Sequence, residues 1–408
     1  MNSLSHRKKK ILIACASFPP RGKGGGPQSS FLFAKGLIDL GFDVLVVTVG
    51  DDDQIENYEG IKVTVVKSPN IYWDYLNKTY SPLKKIIWHV LENFNPIAFF
   101  KIMPIIKNFK PDIVVTISIE NINVTTWLAA KYFKIPIVHI VQSYFLFCYK
   151  GGFFKGSKNC EKQCFDCKVL SCGKKLLSNN VNAVIGETNF VMQEHVKQSF
   201  FKKIELVKIP TPILSFPQYI PKTNNGPLIV GYMGVIEQHK GVEVLAKAAS
   251  IIGASGDVKF MIAGTSRNSD YLNDLKLKFG SADVTFMGWV KPEDAYPKFD
   301  VLVVPSLWKE PFGRIVVEAL SYGVPVIAAK SGGLIENIED GVNGYLYDAE
   351  DYNQLEEIIK KLSKDKDLLF KLSAKAKDSA LSEFKYDTFI DRLQKFFSDF
   401  IESHTATK

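Results

Sequence analysis

An α/β fold of two doubly wound, Rossmann-like parallel-sheet domains facing across a cleft is what the sequence predicts. Three observations carry the prediction. Short β-branched runs alternate with stretches of helical periodicity, the alternation occurs twice, and a proline-rich segment without periodicity separates the two series. Near-continuous apolar strands between helices mean a parallel sheet covered on both faces. The length of 408 residues also exceeds one hydrophobic core and suits two domains of roughly 200 residues each.

In chain order, strands are expected at 11–14, 44–48, 62–66, 113–116, 137–141 and 183–186, with helices at 29–40 and 124–133 among them. Residues 209–227 (IPTPILSFPQYIPKTNNGP) carry five prolines and read as a linker. Strands resume at 228–232, 259–263, 284–286, 301–304 and 324–328, separated by helices at 242–252, 270–279 and 315–322. Long helices fill 354–401. The expected division is therefore a first domain over 1–208, the linker, a second domain over 228–385 and a final helix over 386–408. Open parallel sheets bind ligands beyond the carboxyl ends of their strands, so the cleft between the domains is the expected site.

Composition narrows the class. The apolar fraction of 46% and charged fraction of 23% are ordinary for a globular protein and exclude disordered, collagen-like and coiled-coil chains. No charge-free apolar run reaches the length of a spanning helix. The apolar stretch after the basic first ten residues ends in Pro19-Pro20 and reads as a first strand, so a cytoplasmic location is expected. The net charge of +8 is uneven: residues 1–210 hold 28 Lys+Arg against 16 Asp+Glu, and the remainder holds 23 against 27. A basic half beside an acidic half suggests different partners for each, although most surface lysines simply solvate helices.

The strongest local signal runs from Val301 to Tyr347. A strand leads into the loop 305–313 and then a helix, and two carboxylates, Glu310 and Glu318, flank the helix start. Phe312-Gly313 lets backbone N–H groups of that turn point toward a ligand, and a helix N-terminus is a ready anion site. Carboxylates beside backbone donors suit a ligand bearing hydroxyls and phosphates, as a nucleotide sugar does; the alternative for the two Glu is a capping residue and a solvated helix face.

The segment PSLWKEPFGRIVVEALSYGVPVIA, followed by Ser331-Gly332-Gly333 and Asp340-Gly-Val-Asn-Gly344, resembles the signature of the retaining GT-B glycosyltransferases of family 4. Three further stretches are similar to that family in the same order. Phe18–Gly26 looks like its glycine-rich first loop, Gly231-Tyr-Met-Gly234 with His239-Lys240-Gly241 like its phosphate-binding turn, and Met261–Gly264 with Phe286–Val290 like its next two strands. The resemblance implies catalytic roles for Glu310 and Lys240. Glu310, with Phe312 and Gly313, would bind the transferred sugar, and Lys240 would neutralise the diphosphate. Glu318 would hold the ribose, with Arg314, Ile315, Gly234 and Val290 around the nucleotide. Gly25 and Gly26 would let the first domain's backbone approach the phosphate or sugar. It further implies front-face attack with retention, and charge stabilisation by Lys240 and helix N-termini without a required metal. The first domain would bind the acceptor, the second the donor, and the final helix would cross back onto the first. Two positions depart from the family pattern. Val235 stands where an Arg is common, with Arg314 and Arg21 as alternatives to replace it, and Gln142 stands where a His is common. Gln142 and Tyr144 are the expected acceptor- or sugar-side residues. His139 points to the opposite face of its strand and reads as structural.

Cys148, Cys160, Cys164, Cys167 and Cys172 fall in one insertion, and Cys15 lies apart in the first strand. A structural zinc on Cys160, Cys164, Cys167 and Cys172 is expected, with free thiols or a redox role as alternatives. Residues 71–110 mix aromatics (Tyr72, Trp73, Tyr75, Trp88, Phe99, Phe100) with Lys84, Lys85, Lys101, Lys107 and Lys110, a pattern suited either to an anionic membrane surface or to ordinary helices with lysines outward. The expected function is transfer of a hexose from a UDP- or GDP-sugar to a glycan or lipid-linked acceptor in surface polysaccharide assembly, on the inner face of the plasma membrane. A catalytically lapsed scaffold that only binds nucleotide sugar is the alternative. A dinucleotide-dependent oxidoreductase is disfavoured, because 18–30 (FPPRGKGGGPQSS) lacks the glycine spacing of that turn.

Overall fold

A computed structural model describes residues 7–22, 24–72, 80–218 and 226–405. Lys23, Trp73, Tyr75 and part of the proposed linker (219–225) lie outside the described residues. The chain divides into two units, one built mainly from residues up to Thr211 and the other mainly from Pro212–Thr388.

The first unit holds β1 (Lys10–Cys15), β2 (Asp43–Gly50), β3 (Gln54–Tyr58), β4 (Ile61–Lys67), β5 (Ile113–Ile117) and β6 (Ile137–Val141). After a two-stranded hairpin of β7 (Phe154–Lys155) and β8 (Lys158–Asn159) come β9 (Ala183–Gly186) and β10 (Glu205–Lys208). Its eight-stranded sheet has the order β10-β9-β6-β5-β1-β2-β4-β3, parallel except for β3 at one edge. β5 and β6 are buried at all five positions, which is why they read as continuous apolar runs. The edge strand β3 (QIENY) has no such run and escaped the sequence reading. Among the described residues before the second unit, the helices are α1 (Gly25–Asp39), α2 (Pro82–Asn93), α3 (Pro96–Phe109), α4 (Thr125–Tyr132), α5 (Phe165–Val169), α6 (Cys172–Leu177) and α7 (Asn189–Lys197). α1 starts four residues earlier than its periodicity suggested, with Gly24 at φ 105° as its N-cap, so Gly25 and Gly26 form its first turn.

The second unit contains β11 (Leu228–Met233), β12 (Val258–Ala263), β13 (Val284–Gly288), β14 (Val301–Val304), β15 (Val326–Ala329) and β16 (Gly344–Tyr347). Their order is β13-β12-β11-β14-β15-β16, all parallel. Sequence order thus reverses between β11 and β14, the topological switch point at which doubly wound sheets bind ligands. Along β14, Val301 and Val303 enter one apolar cluster while Leu302 and Val304 enter another, so both faces are covered. α8 (Val242–Ile252), α9 (Ser269–Lys278) and later α12 (Tyr352–Lys364) fill the first cluster. The short α10 (Pro292–Ala295), α11 (Arg314–Ser321) and α13 (Lys366–Glu383) serve the second. β16 lies inside a Gly/Asn/Asp-rich stretch where the sequence suggests no strand; pairing with β15 from Val326–Gly344 to Ala329–Tyr347 makes it one.

α14 (Tyr386–Thr405) groups with the first unit from Phe389 onward. Phe389, Leu393, Phe396, Phe397 and Phe400 make its buried stripe, and Phe389 meets Phe33 of α1 at 5.3 Å between ring centroids. Gly36 permits the approach, since a Cβ there would lie 2.8 Å from both Leu393 and Phe389 side-chain carbons. The hairpin β7–β8 departs from the sequence reading, which assigned the whole insertion to the first domain. Residues Phe153–Cys160 group with the second unit. The reason is the Asn159 side chain, which donates to Leu307 O at 2.6 Å and accepts from Lys309 N–H at 2.9 Å.

Candidate active site

Three loops meet at the carboxyl end of the second unit's sheet. After β11, Gln238–Lys240 form one tight turn, and Gly241, at φ 67°, opens α8. A Cβ on Gly241 would lie 1.9 Å from Pro305 O, so the loop after β14 passes directly over this turn. Leu307 and Trp308 N–H groups both donate to His239 O, at 3.0 and 3.2 Å. After β15, Gly332 at φ 64° lies so close that a Cβ would sit 2.3 Å from Glu310 O, and Gly333 N–H donates to that oxygen at 2.6 Å. Only glycine accommodates both the left-handed conformation and the close approach at 241 and 332.

These loops bring Lys240 and Glu310 together across 70 residues of sequence. Lys240 Nζ lies 2.6 Å from Glu310 Oε1 and 4.9 Å from the centre of the Trp308 ring. Ser306 Oγ donates to the same Oε1 at 2.8 Å. Glu310 is 7% exposed, so this is a carboxylate held in a low-polarity setting by one cation and one hydroxyl. His239, beside it, is pushed below its ordinary value, first by burial and then by the Lys240 charge. Burial, reinforced by Glu310, raises the Tyr232 phenol.

Glu318 sits on α11, one turn after its start. Arg314 Nε pairs with Glu318 Oε1 at 3.3 Å, the i,i+4 neighbour expected on one helix face. Tyr296 OH donates to Glu318 Oε2 at 3.1 Å, and burial followed by that carboxylate holds the Tyr296 phenol well above its usual range. Gly313, at φ 83°, is the N-cap of α11, and Asn337 Nδ2–H donates to Phe312 O at 2.6 Å. Phe312 is buried, while Ile315 and Val290 are half-buried and pack against the same cluster. Gly234 follows β11 at φ 143° and packs against Gly264, whose Cβ would fall 1.8 Å from Gly234 O. The second unit therefore gathers Lys240, Glu310, Phe312, Gly313, Arg314, Ile315, Glu318 and Gly234 around its switch point. Ser306, Tyr296, Asn337 and the Asn159 clamp were missed by sequence reasoning. Ser306, one turn before Glu310, was the only one of them with a local signal.

Val235 is 48% exposed. Neither proposed substitute is an unengaged cation: Arg314 pairs with Glu318, and Arg21 pairs with Glu56 and donates to Gln54 in the first unit. In that unit Gly25 and Gly26 are exposed at the start of α1. Gln142 donates to Ser29 Oγ and accepts from Ser118 Oγ at 3.0 Å. Tyr144 is fully buried against Phe147, so in this structure it packs the core and presents no surface to an acceptor. His139 is buried, its Nδ1 2.8 Å from Thr116 Oγ1, and burial lowers it to about 3.

The boundary between the units falls among the four expected zinc ligands. Cys160 closes β7–β8 in the second unit, whereas Cys164, Cys167 and Cys172 belong to the first. Cys172 is exposed and accepts from Asn93 Nδ2 at 3.3 Å. Cys167 is hydrogen-bonded with Cys148 and Cys164; the Cys148 thiol, then burial, drive it far above its ordinary value. Among the described residues no group of three or more His, Cys, Asp or Glu is placed to hold a metal ion. Cys15 is a buried apolar packing residue, pushed up to about 12 by burial.

Residues 218–379 match the family model described as glycosyl transferases group 1. The chain is 29% identical over 329 residues to an uncharacterised 42.6 kDa protein of the cps region of Klebsiella pneumoniae, covering 80% of this chain and 86% of that protein. It is 25% identical over 185 residues to the capsular polysaccharide biosynthesis glycosyltransferase CapM of Staphylococcus aureus, covering 44% of this chain and 48% of CapM. Among solved structures, Anabaena HepE in complex with UDP superposes with a TM-score of 0.71 at 20% identity over 96% of this chain and 100% of that one. Sucrose-phosphate synthase from Thermosynechococcus elongatus gives 0.73 at 18% identity over 97% and 100%. Residues 218–379 are thus similar to the group 1 glycosyl transferases, and the chain as a whole shares the fold of these solved structures.

Proposed function

We propose that the protein transfers a hexose, with retention, from a nucleoside diphosphate sugar to a hydroxyl of a glycan or lipid-linked glycan during assembly of a surface polysaccharide. The observation that carries the reading is the Lys240–Glu310 pair at the switch point of the second unit's sheet. In this reading Lys240 and the first turn of α11 neutralise the diphosphate, Glu318 accepts from the ribose hydroxyls, and Glu310 Oε2 accepts from hydroxyls of the sugar. The bond from the anomeric carbon to the diphosphate breaks, the acceptor oxygen bonds to that carbon on the same face, and the acceptor proton passes to the departing phosphate. Because a lysine and backbone donors carry the developing charge, no metal is required. In the first unit, Gly25 and Gly26 are the proposed backbone approach to phosphate or sugar, and Gln142 a sugar-hydroxyl contact. The UDP complex of HepE and the cps-region and capsular relatives support the donor class and the polysaccharide setting.

Thermal shift of the full chain against UDP-, GDP- and ADP-sugars tests the donor, since a true donor stabilises the folded state in proportion to its occupancy. A flat panel would remove the donor assignment. Turnover of a radiolabelled donor, in the presence of EDTA, separates transferase from lapsed scaffold: release of nucleotide without added metal is expected, and binding without release would favour the scaffold.

A further inference from the structure

Helices α2 and α3 leave an apolar face uncovered. On α2 only Trp88 and Glu92 are buried. The opposite side of α2 carries Leu83, Ile86 and Val90 at helical spacing; Phe94 lies in the extended break after α2, and Ile97 and Phe100 lie on α3 away from its buried Ala98, Ile102 and Ile106. These residues are 49% to 71% exposed. With Ile87, seven of the 21 large exposed apolar side chains among the described residues fall within 83–100, so this is a patch and not scatter.

The charges around it are of one sign. Residues 81–110 contain five lysines and a single carboxylate, Glu92. Lys84, Lys85, Lys107 and Lys110 are exposed, whereas Glu92 is fully buried and accepts from Asn70 Nδ2 at 2.7 Å and Asn121 N–H at 3.1 Å. The surface of the two helices therefore offers apolar area and cations with no anion of its own. A second copy fits poorly, because a two-fold contact would place like charges opposite one another. An anionic bilayer fits both features: the stripe enters the headgroup–acyl boundary and the lysines meet lipid phosphates. No helix among the described residues is long and apolar enough to cross a membrane, so the contact would lie in the plane of the surface.

We propose that α2 and α3 form a docking surface for an anionic phospholipid bilayer. The test is co-sedimentation of the full chain with vesicles of phosphatidylcholine alone or with 30% phosphatidylglycerol. The wild-type chain is expected to partition onto the anionic vesicles and to be released by high salt. Lys84→Glu with Lys85→Glu should weaken partitioning at least about tenfold, as should Ile86→Gln with Val90→Gln, with melting temperature and nucleotide binding unchanged in both. Equal binding to neutral vesicles, binding that ignores both pairs of substitutions, or no binding at all would overturn the proposal. So would a dimer in light scattering that Ile86→Gln with Val90→Gln converts to monomer.

Discussion

Replacing Lys240 by Met removes the only cation within 4.0 Å of Glu310 among the described contacts and should separate two roles that a sequence motif cannot. The Lys240 side chain is 23% exposed and the Glu310 side chain 9%, so the pair is screened from one side only. Losing one partner of a fully buried pair costs about 3–5 kcal/mol; solvent access to Lys240 reduces this to about 1–2 kcal/mol. In a unit of this size that lowers the melting temperature by about 2–8 °C. The diphosphate contact is a charge-assisted hydrogen bond of about 1.5–3 kcal/mol, so Lys240→Met should raise the Kd for the preferred nucleoside diphosphate by about 10- to 150-fold. Glu310→Gln is the control. It removes the anion that competes for Lys240, so nucleotide affinity should stay level or improve while donor turnover falls at least about tenfold. Calorimetric titration of both variants with UDP or GDP reads the difference. A folded Lys240→Met protein that binds nucleotide as the wild type does would refute the reasoning.

Other expectations follow from single contacts. Gly241→Ala places a Cβ 1.9 Å from Pro305 O in left-handed backbone, so it should lower the melting temperature and weaken nucleotide binding together; loss of neither would mean the two loops are not coupled. Asn159→Ala should reduce turnover severalfold with little change in nucleotide affinity, because it releases Leu307 and Lys309 without touching Lys240. His139 and His195 are held neutral by burial, lowered to about 3 and about 4 from an ordinary 6.5. Each unfolded histidine therefore binds a proton below pH 6.5 that the folded one does not, so the contribution of these two groups to stability should be constant above that pH and fall below it, by up to about 1.4 kcal/mol per pH unit for each. Denaturant titrations of the wild type and His139→Gln at pH 7 and 5 read the slope. Iodoacetamide at pH 8 should label the exposed Cys172 and spare Cys15 and Cys167, whose thiols are raised; mass mapping checks it.

What was legible in the sequence has a physical pattern. Core strands such as β5 and β14 announce themselves because burial on both faces demands continuous apolar residues. β3 and β16 do not, since an edge strand of mixed polarity looks like a loop until its neighbour supplies the hydrogen bonds. Glu310, Glu318 and Gly313 sit in one contiguous segment, so their motif was readable. Tyr296 on Glu318 and Asn159 on the 305–313 loop were not, because contacts separated by 22 and about 150 residues leave no local periodicity. For the cysteines, spacing alone groups Cys160 with Cys164, Cys167 and Cys172 and gives no sign of Cys148, which is hydrogen-bonded to Cys167 as Cys164 is.

The most direct measurement is a crystal structure of the full chain with its preferred nucleoside diphosphate. A diphosphate oxygen should lie within hydrogen-bonding distance of Lys240 Nζ, about 2.7–3.2 Å, with the ribose hydroxyls on Glu318. Nucleotide bound with its diphosphate remote from Lys240, or held by the first unit's sheet alone, would contradict it.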